Sequence, residues 1–429
     1  MVRFAFGSVV AATTALLLAG LASAAPASQQ AARQNAAAWP NGPLHTDGRW
    51  MKDASNKTVT YAGANWPGHG EVMIPEGLQY QSIEFIVSKI KSVGFNSIRL
   101  TYAIQMIDEI YDNGGVDIPL DKAFVQGLGQ TNGTKVLQQF LSHNPQFKAK
   151  STRLQVYDAI AAECAKQQIY VHLDNHISKG KWCCGGGDYN AFWGDVEFNP
   201  SNWVRGLAYM AAHGKAWPAL MSSALRNEPR EPSSGPAKSN YNWETLYKYA
   251  KQGAAAINKA NPDLLIFISG LNYDTTVAPI VRGQTLSPGQ TRFSRKDFAG
   301  FENKLVLEIH NYENNQGSCS ALQNNLFNNG FEAHRDSAVN KFPVLLTEYG
   351  FNMDASAWQG VYATCIAQFT AANKAGFFIW VIVGSYYTRQ GTQDFDEAWG
   401  VLNHNWSDWR NPSYVREQLI PQIKGTLAQ

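Results

Sequence analysis

A glutamate stands where a buried strand is expected to end, in the segment SALRNEPR (223–230). The apolar run 219–221 precedes it, and Pro229 follows Glu228 directly and stops the strand, because proline has no N–H to donate to a sheet. Two interpretations are open: a turn with a solvated carboxylate, or a strand that supports Glu228 for chemistry. A second glutamate, Glu348, occupies a similar place in FPVLLTEYG (342–350).

The segments that must position these glutamates have the length of strands. Eight of them recur along the chain: VTYAGANW (59–66), FNSIRLTY (95–102), IYVHLDNH (169–176), ALMSSALRNE (219–228), LLIFISGL (264–271), KLVLEIHNY (304–312), FPVLLTEYG (342–350) and GFFIWVIVG (376–384). Most are continuous apolar runs, which is typical of parallel strands covered on both faces. Segments with helical spacing lie between them, such as 81–94 and 151–168, the second with Ser151 as its expected N-cap.

Strand–helix alternation repeated eight times predicts an α/β fold, a single (β/α)₈ TIM barrel. The alternative is an open doubly wound sheet, but no glycine-rich phosphate loop opens a helix after the first strand. The segment 42–61 predicts a short N-terminal hairpin that plugs the bottom of the barrel, and 103–150 and 182–195 are expected as long loops over its C-terminal face. Residues 272–303 have no helical periodicity. No Pro/Ser-rich linker divides residues 39–429, which we therefore predict to be one catalytic domain.

The N-terminal segment has the pattern of an export signal. Arg3 precedes an apolar core, and Ala22 and Ala24 suit signal peptidase. A membrane anchor is the alternative, but no charged stop-transfer flank follows and no other long apolar run exists. We predict a signal peptide over 1–24, a flexible leader over 25–38, and a secreted, extracellular protein that does not associate with membranes. Three glycosylation sequons suit such a protein and begin at Asn56, Asn132 and Asn405.

The five cysteines fit an exported protein, since that compartment permits disulfides. Cys183 and Cys184 are adjacent in a loop, and one of them is expected to pair with Cys319, which also lies in a loop. Cys164 and Cys365 lie in helical patterns and are expected as buried thiols. No C-x-x-C motif is present, so a zinc ribbon is not predicted.

Composition narrows the range of partners. The formal net charge is only +2 and there is no long basic run, so nucleic acid is not a predicted partner. Aromatic residues make up 12% of the chain and include 13 Trp, more than a core is expected to absorb, so some are predicted to face a ligand such as a sugar. We predict a monomer with no cofactor.

In a barrel of this kind, the side chains at the carboxyl ends of the strands share one face. Those residues are Arg99, His172, Asp174, His176, Asn227, Glu228, His310, Tyr312, Glu348 and Trp380. Glu228 and Glu348 come from the fourth and seventh strands, which face each other across the mouth. Cleavage of a glycosidic bond requires such a pair, a proton donor for the leaving oxygen and a group that stabilises or captures the sugar cation. A strand-end salt bridge explains each glutamate alone equally well, but it does not explain the whole set.

In its order along the chain, this set resembles glycoside hydrolase family 5, a cellulase-like family of retaining barrels with two catalytic glutamates. The matching segments are NSIRL with Arg99, LDNH with His176, RNEP with Asn227 and Glu228, EIHNY with His310 and Tyr312, LTEYG with Glu348, and FFIWV with Trp380. The resemblance spans about residues 60–380. It implies an endo-β-glucanase or related β-glycanase that cleaves β-linked oligo- or polysaccharides by double displacement.

The resemblance also implies a role for each matching residue. Glu228 would be the acid/base and Glu348 the nucleophile. Asn227 would bind the sugar 2-hydroxyl, and Tyr312 and Arg99 would hold the nucleophile. The remaining matches would complete the sugar site, with His176 and His310 in its polar floor and Trp380 under the reacting sugar.

Three alternatives stay open. One is an exo-acting β-glycosidase of the same family, and another is a non-catalytic carbohydrate-binding barrel, which would require the loss of a catalytic glutamate. The third is a metal-dependent hydrolase, because the spacing of two between His172, Asp174 and His176 puts them on one side of a strand. We predict no metal, since the family uses His176 without one, and we expect His172 in the core.

Aromatic residues in two loops are predicted to line the cleft, because sugars stack their apolar faces on rings. The first loop carries Trp182, Tyr189, Phe192 and Trp193 near Asp188 and Asp195; the second set is Trp399, Trp406 and Trp409 after the last strand. The alternative for the first loop is a small core of its own. We predict that Trp182 contacts the substrate.

Overall fold

The computed structural model describes residues 39–354 and 356–428; the predicted signal peptide and leader, 1–24 and 25–38, lie outside the described residues. The strands are β1 His45–Asp47, β2 Trp50–Lys52, β3 Thr58–Val59, β4 Ala62–Trp66, β5 Ser97–Ala103, β6 Tyr170–Ile177, β7 Leu220–Ala224, β8 Leu265–Ile268, β9 Leu305–His310, β10 Val344–Tyr349, β11 Phe377–Ile379, β12 Ser385–Arg389 and β13 Thr392–Asp396. Strands β4 to β11 close into a barrel in sequence order, and each pairs in parallel with its neighbours. The predicted (β/α)₈ barrel is therefore confirmed.

Helices follow most of these strands and cover the outside of the barrel. They are α1 Ile83–Ser92, α2 Ile104–Asp112, α3 Leu120–His143, α4 Arg153–Lys166, α5 Pro200–His213, α6 Pro236–Ser239, α7 Trp243–Ala260, α8 Ala278–Val281, α9 Cys319–Asn329, α10 Val361–Asn373, α11 Pro412–Tyr414 and α12 Ile420–Leu427. Between α11 and α12 the chain forms a π-helical turn, Val415–Leu419. The prediction for 103–150 was wrong in part, because this segment contains α2 and α3. Residues 272–303 hold the four-residue α8, a short 3₁₀ turn, Arg295–Phe298, and the start of a second one, Glu302–Lys304, and no long helix, as expected.

Capping fixes where the helices begin. Thr152, not the predicted Ser151, is the N-cap of α4: its side chain accepts from the Gln155 N–H, and the Gln155 side chain accepts from the Thr152 N–H. This reciprocal pair satisfies two backbone donors that have no partner inside the helix. The carbonyl of Ser151 instead accepts from the N–H of Leu120 at 2.7 Å, so Ser151 joins α4 to the start of α3.

The bottom of the barrel is closed by the segment predicted as a hairpin. Strands β1, β2 and β3 form a three-stranded antiparallel sheet. From it Leu44 and Met51 are buried against the lower barrel, with Tyr61, Phe267 and Phe378 among their neighbours. These apolar side chains exclude water from the lower end and leave the upper end for chemistry.

The disulfide prediction was wrong. Cys319 pairs with Cys365, which joins the start of α9 to α10, and their Cα atoms lie 5.1 Å apart, as a disulfide requires. Cys183 and Cys184 pair with each other. Cys164 is a free buried thiol, as expected, and burial raises its pKa.

Candidate active site

Glu228 owes its position to an unusual backbone conformation just beyond β7. Its φ is +49°, in the left-handed region that residues other than glycine rarely adopt. Three contacts hold it there: its N–H donates to Asp274 Oδ2 at 2.7 Å, its carbonyl accepts from Arg230 at 2.9 Å, and its Oε1 lies 2.9 Å from His310 Nδ1. Burial raises the pKa of Glu228 to about 7, against the opposing charges of Arg230 and Arg99. The carboxyl can therefore hold a proton near neutral pH.

Glu348 lies on β10, opposite Glu228, and is held by donors. Arg99 donates from Nη1 to Glu348 Oε1 at 2.6 Å, and the Tyr312 hydroxyl donates to Oε2 at 2.9 Å. Burial raises the pKa of Glu348, while the charges of His310 and Arg99 act in the opposite direction. Two donors that stabilise the ionised form are what a carboxylate nucleophile requires.

Arg99 is fully buried, and its two terminal nitrogens, Nη1 and Nη2, contact residues from several strands. It donates to the side-chain oxygens of Asn65 and Asn227, each at 2.8 Å, and its Nη2 lies 3.1 Å from Asp174 Oδ1. A buried guanidinium is tolerable only with such compensation. Arg99 therefore links β4, β6, β10 and the end of β7 into one polar layer beneath the cleft.

The two glutamates are close together. One oxygen from Glu228, one oxygen from Glu348 and one ring nitrogen of His310 all lie within 4.8 Å of one another. His310 Nδ1 is 3.7 Å from Glu348 Oε2. Burial lowers the pKa of His310, so the imidazole between the carboxyls is neutral at neutral pH. A neutral ring can hydrogen-bond Glu228, and, unlike an imidazolium cation, it does not favour the ionised form of both carboxyls.

A stack of rings forms the floor beside the glutamates. His176 stacks on Trp380, with ring centroids 5.3 Å apart, and lies 3.9 Å from the ring of His69. Asp174 Oδ2 orients His176 through a 2.6 Å contact to Nδ1, and Asn227 Nδ2 lies 3.4 Å from its Nε2. Burial lowers the pKa of His176 well below its usual value. The floor thus combines neutral rings with the amide of Asn227.

An open cavity of about 460 Å³ lies above this floor and is large enough for sugar units. Glu228, Glu348, Tyr312, Trp380 and Trp182 all line it. Its remaining walls come from the Cys183–Cys184 disulfide and from the β12–β13 hairpin and the residues after it, including Arg389, Phe395, Glu397 and Trp399. A second cavity, of about 420 Å³, lies at the opposite end of the barrel around Trp50 and Tyr170, and no carboxylate lines it.

The predicted aromatic walls are correct only in part. Trp182 lines the cavity, with the Arg389 guanidinium 3.8 Å from its ring, and Trp399 lines the other side. Phe192 and Trp193 instead pack in a buried cluster under the loop, where Trp193 stacks on Tyr249 at 5.2 Å. The remaining members lie elsewhere: Tyr189 is exposed, Asp188 pairs with Arg230, Asp195 caps its own loop, Trp406 is fully buried and Trp409 lies beside Lys89.

Of the three β6 residues in the metal alternative, only His176 belongs to a cluster of possible metal ligands. His172 Nδ1 bonds Ser222 at 2.9 Å and its ring stacks on Phe378, so it belongs to the core, as expected. Among the described residues, two groups of three ligand types gather within 4.8 Å: Glu228 with His310 and Glu348, and His176 with the bonded Cys183 and Cys184. Neither contains His172 or Asp174.

Residues that the sequence did not single out complete the site. Asp274 holds the Glu228 backbone, His69 extends the ring stack, and Arg389 with its buried partner Glu397 shapes one wall. These four residues lie in loops or in and just after the β12–β13 hairpin, whereas the predicted residues lie in barrel strands or just after them. The segment GANWPGHG was visible as glycine-rich, but nothing in it marked His69.

Comparisons with known proteins identify the family of the chain. The family model for cellulase (glycosyl hydrolase family 5) matches residues 52–385. A glycosyl hydrolase 5 family protein from Chamaecyparis obtusa is 32% identical over 388 residues, which are 87% of this chain and 65% of that protein, so the chain spans slightly less than two thirds of its length. An endoglucanase from Paenibacillus polymyxa is 24% identical over 387 residues, 88% of this chain and 86% of that protein.

Solved structures give the same fold. An endocellulase from Pyrococcus horikoshii in complex with cellotetraose superimposes with a TM-score of 0.64 at 17% identity, covering 90% of this chain and 99% of that one. Sequence identity this low supports the fold alone. The family model, by contrast, covers most of the chain and the whole barrel. The chain therefore belongs to the cellulase family, glycosyl hydrolase family 5.

Proposed function

We propose that this protein is a secreted, retaining hydrolase that cleaves β-linked glucan chains, with Glu228 as acid/base and Glu348 as nucleophile. The observation that carries the proposal is the short distance between the two carboxyls, which bring oxygens within 4.8 Å of each other. Retaining enzymes keep their carboxyls about 5–5.5 Å apart, whereas inverting enzymes leave about 6.5–9.5 Å for a water molecule.

In the first step, Glu348 attacks the anomeric carbon and the bond from that carbon to the leaving oxygen breaks. Glu228 gives its proton to that oxygen as the bond breaks, and a glycosyl ester forms on Glu348. The contacts support this division of roles. The raised pKa of Glu228, about 7, keeps a proton available, while Arg99 and Tyr312 donate to Glu348 and favour its ionised form.

In the second step, water attacks the anomeric carbon from the face that the leaving group vacated. Glu228, now ionised, takes the proton of that water, and Glu348 leaves as a carboxylate. Each step inverts the anomeric centre, so the product retains the β configuration. His310, 2.9 Å from Glu228, is suited to stay in contact with the carboxyl in both of its protonation states.

The substrate proposal has two supports. Trp182, Trp380 and Trp399 line the open cavity, and such rings suit the apolar faces of glucose units. Among the relatives, one is named an endoglucanase and one structure holds cellotetraose, which favours a β-glucan over other glycans. We propose that Asn227 binds the 2-hydroxyl and that Trp380 lies under the reacting sugar.

The proposal of secretion rests on the signal pattern at 1–24 and on the Cys319–Cys365 disulfide, which requires an oxidising compartment. Among the described residues, no helix is both long enough and apolar enough to span a bilayer. We further propose that the enzyme acts as a monomer, since one chain supplies both glutamates and the whole polar floor.

The stereochemical test is direct. Proton NMR of a cello-oligosaccharide digest should show the β-anomer first, with the α-anomer appearing later by mutarotation. A parallel product profile on glucan, mannan and galactan would identify the glycan and separate endo from exo action. An α-anomer as first product would contradict the retaining mechanism.

The roles of the glutamates are tested by substitution. Glu228→Ala and Glu348→Ala should each abolish glucan hydrolysis. Both variants should still fold, because Arg99, which loses a partner in Glu348→Ala, keeps Asp174, Asn65 and Asn227. With an aryl β-glycoside whose phenol is very acidic, Glu228→Ala should still form the ester and then stall, and azide should restore turnover with a β-azide product. Glu348→Ala should give no burst, and any azide product should be α. The reverse pattern would exchange the two roles.

A further inference from the structure

The backbone around Glu228 is held by a turn that none of the predicted site residues belongs to. Asn272, Tyr273 and Asp274 follow β8 and have φ values of +55°, +61° and +57°. Residues with side chains enter the left-handed region as single residues, because Cβ clashes with the following carbonyl, so three in a row are costly. Such strain persists only where surrounding contacts enforce it, and it is concentrated at functional sites.

Asp274 is the residue of this turn that faces inwards, and it is fully buried. Its Oδ2 accepts from the Glu228 N–H at 2.7 Å and its Oδ1 accepts from the Gly270 N–H at 2.9 Å. Its backbone carbonyl accepts from the His310 N–H at 2.8 Å. Asp274 thus contacts both Glu228 and the histidine that bonds the Glu228 carboxyl.

The rest of the turn is bonded to the segment after β7 and to Tyr241, which precedes α7. The N–H of Tyr273 donates to the carbonyl of Pro229 at 3.1 Å, directly after Glu228. On the outer side, the N–H of Asn272 donates to the Tyr241 hydroxyl at 2.6 Å. The turn is therefore fixed from outside by Tyr241 and connects to Glu228, Pro229 and His310 on its inner side.

Ion pairing alone does not explain why Asp274 is buried at this position. Burial and the neighbouring carboxylate Glu308 raise the pKa of Asp274 well above its usual value, and the Glu228 N–H opposes that shift. Arg99 is the cation that also acts on it. Burying the Asp274 carboxyl beside Glu228 and Glu308 costs free energy. The hydrogen bonds that it accepts from the N–H groups of Glu228 and Gly270 offset part of that cost.

We propose that Asp274 is a positioning residue for the proton donor: it fixes the left-handed backbone of Glu228 so that its carboxyl points across the cleft towards the scissile oxygen. The inference rests on the proposed acid/base role of Glu228. Asp274 does not touch the substrate, and it acts through Glu228 and His310. Its loss should therefore impair proton donation and leave the attack by Glu348 intact.

Asp274→Asn is the test variant, because the amide keeps the size but offers one acceptor for two N–H donors. On a cello-oligosaccharide, whose leaving oxygen needs a proton, kcat/KM should fall by roughly 10- to 100-fold, part of the ~10²–10⁴-fold that acid catalysis supplies. On an aryl β-glycoside with a very acidic phenol, the rate of ester formation should stay close to that of the unaltered enzyme. An equal loss on both substrates would overturn the inference.

Two further variants keep the test decisive. Tyr241→Phe removes the outer contact of the turn but keeps the ring, and it should show the same leaving-group dependence to a smaller degree, even if Asp274→Asn does not fold. Asp53→Asn is the control for the substitution itself: this buried aspartate, at the far end of the barrel, accepts two backbone N–H bonds at Oδ1, from Ser55 and Lys57, and a side-chain bond from Asn41 at Oδ2. It should leave both substrates unaffected.

Glu228→Ala separates the two proposals. If Glu228→Ala loses only the substrate that needs a proton while Asp274→Asn and Tyr241→Phe behave like Asp53→Asn, the positioning role of Asp274 is wrong and the acid/base role stands. If Glu228→Ala shows no dependence on the leaving group, the acid/base assignment fails and takes the Asp274 inference with it.

Discussion

At the scale of single residues, the two glutamates differ in their partners more than in their burial. Glu348 receives hydrogen bonds from Arg99 and Tyr312, whereas Glu228 faces the neutral ring of His310. Both are surrounded by protein, and burial raises both pKa values. The asymmetry of donors is thus what assigns a proton to one carboxyl and a charge to the other.

The pH profile should report this asymmetry. The pKa of Glu228 is raised to about 7, so the acid form is present below that pH and is lost as pH rises through it. We expect kcat/KM on cello-oligosaccharides to fall above pH about 7, and to fall again on the acid side as Glu348 is protonated. Rates measured across the pH range for an aryl glycoside with a very acidic phenol should lack the alkaline limb. An alkaline limb that persists there would assign it to another group.

Which residues could be predicted depended on where the chain places them. His176, Glu228 and Glu348 stand near or just beyond the ends of barrel strands, and Arg99 lies within β5. The closed barrel brings all four side chains to one site. Asp274 follows a strand after a turn of left-handed residues, and no sequence pattern specifies that Asn272 and Tyr273 adopt this conformation. We single out Asp274 because its carboxyl accepts from the Glu228 N–H, a contact that the sequence does not indicate.

At the scale of elements, the eight barrel strands were predictable, whereas the β12–β13 hairpin and the helices α2 and α3 were not. Continuous apolar runs identify buried strands because both faces are covered. Helix α3 contains Gly127, Gly129 and Gly133, and Gly129 interrupts it with a φ of +77°. Glycine disfavours helix by about 1 kcal/mol per residue, yet Phe124 and Phe140 are fully buried on this segment, so packing outweighs propensity.

Helix α4 illustrates an element anchored by a buried charge. Arg153, its first residue, is fully buried and donates to Asp117 at 2.7 and 2.9 Å and to Glu109 at 2.6 Å. Arg153→Ala leaves Asp117 buried without its cation, so the free energy of unfolding should fall by about 3–5 kcal/mol in urea titrations. The surviving folded enzyme should keep its kcat.

The control for Arg153 lies three residues earlier. Lys150 bonds Asp121 at 2.7 Å, but its side chain is 79% exposed. Lys150→Ala should change the free energy of unfolding by about 1 kcal/mol or less, because exposed ion pairs are screened by water. Equal effects of the two substitutions would mean that burial of Arg153 adds nothing to the anchoring of α4.

At the scale of the whole molecule, the barrel separates stability from chemistry along its axis. The sheet β1–β3 closes the lower end with Leu44 and Met51, and the glutamates stand at the upper end. The two disulfides lie in different parts of the molecule. Cys319–Cys365 joins two outer helices, whereas Cys183–Cys184 lines the cleft, with Asn227 Nδ2 at 3.8 and 3.6 Å from its two sulfurs.

Removing the first disulfide should therefore affect stability, and removing the second should affect substrate binding. Cys319 and Cys365 are 46 residues apart, so replacing both by Ala frees the unfolded chain and should lower the free energy of unfolding by about 4 kcal/mol. It should leave kcat/KM unchanged. Cys183 and Cys184 are neighbours, so their replacement by Ala releases almost no chain entropy but removes a wall of the cleft beside Asn227. We expect that variant to keep its free energy of unfolding within about 1 kcal/mol and to raise KM for cello-oligosaccharides. Urea titration and steady-state kinetics on both double variants measure this. A vicinal variant with unchanged KM would show that the Cys183–Cys184 disulfide only borders the substrate.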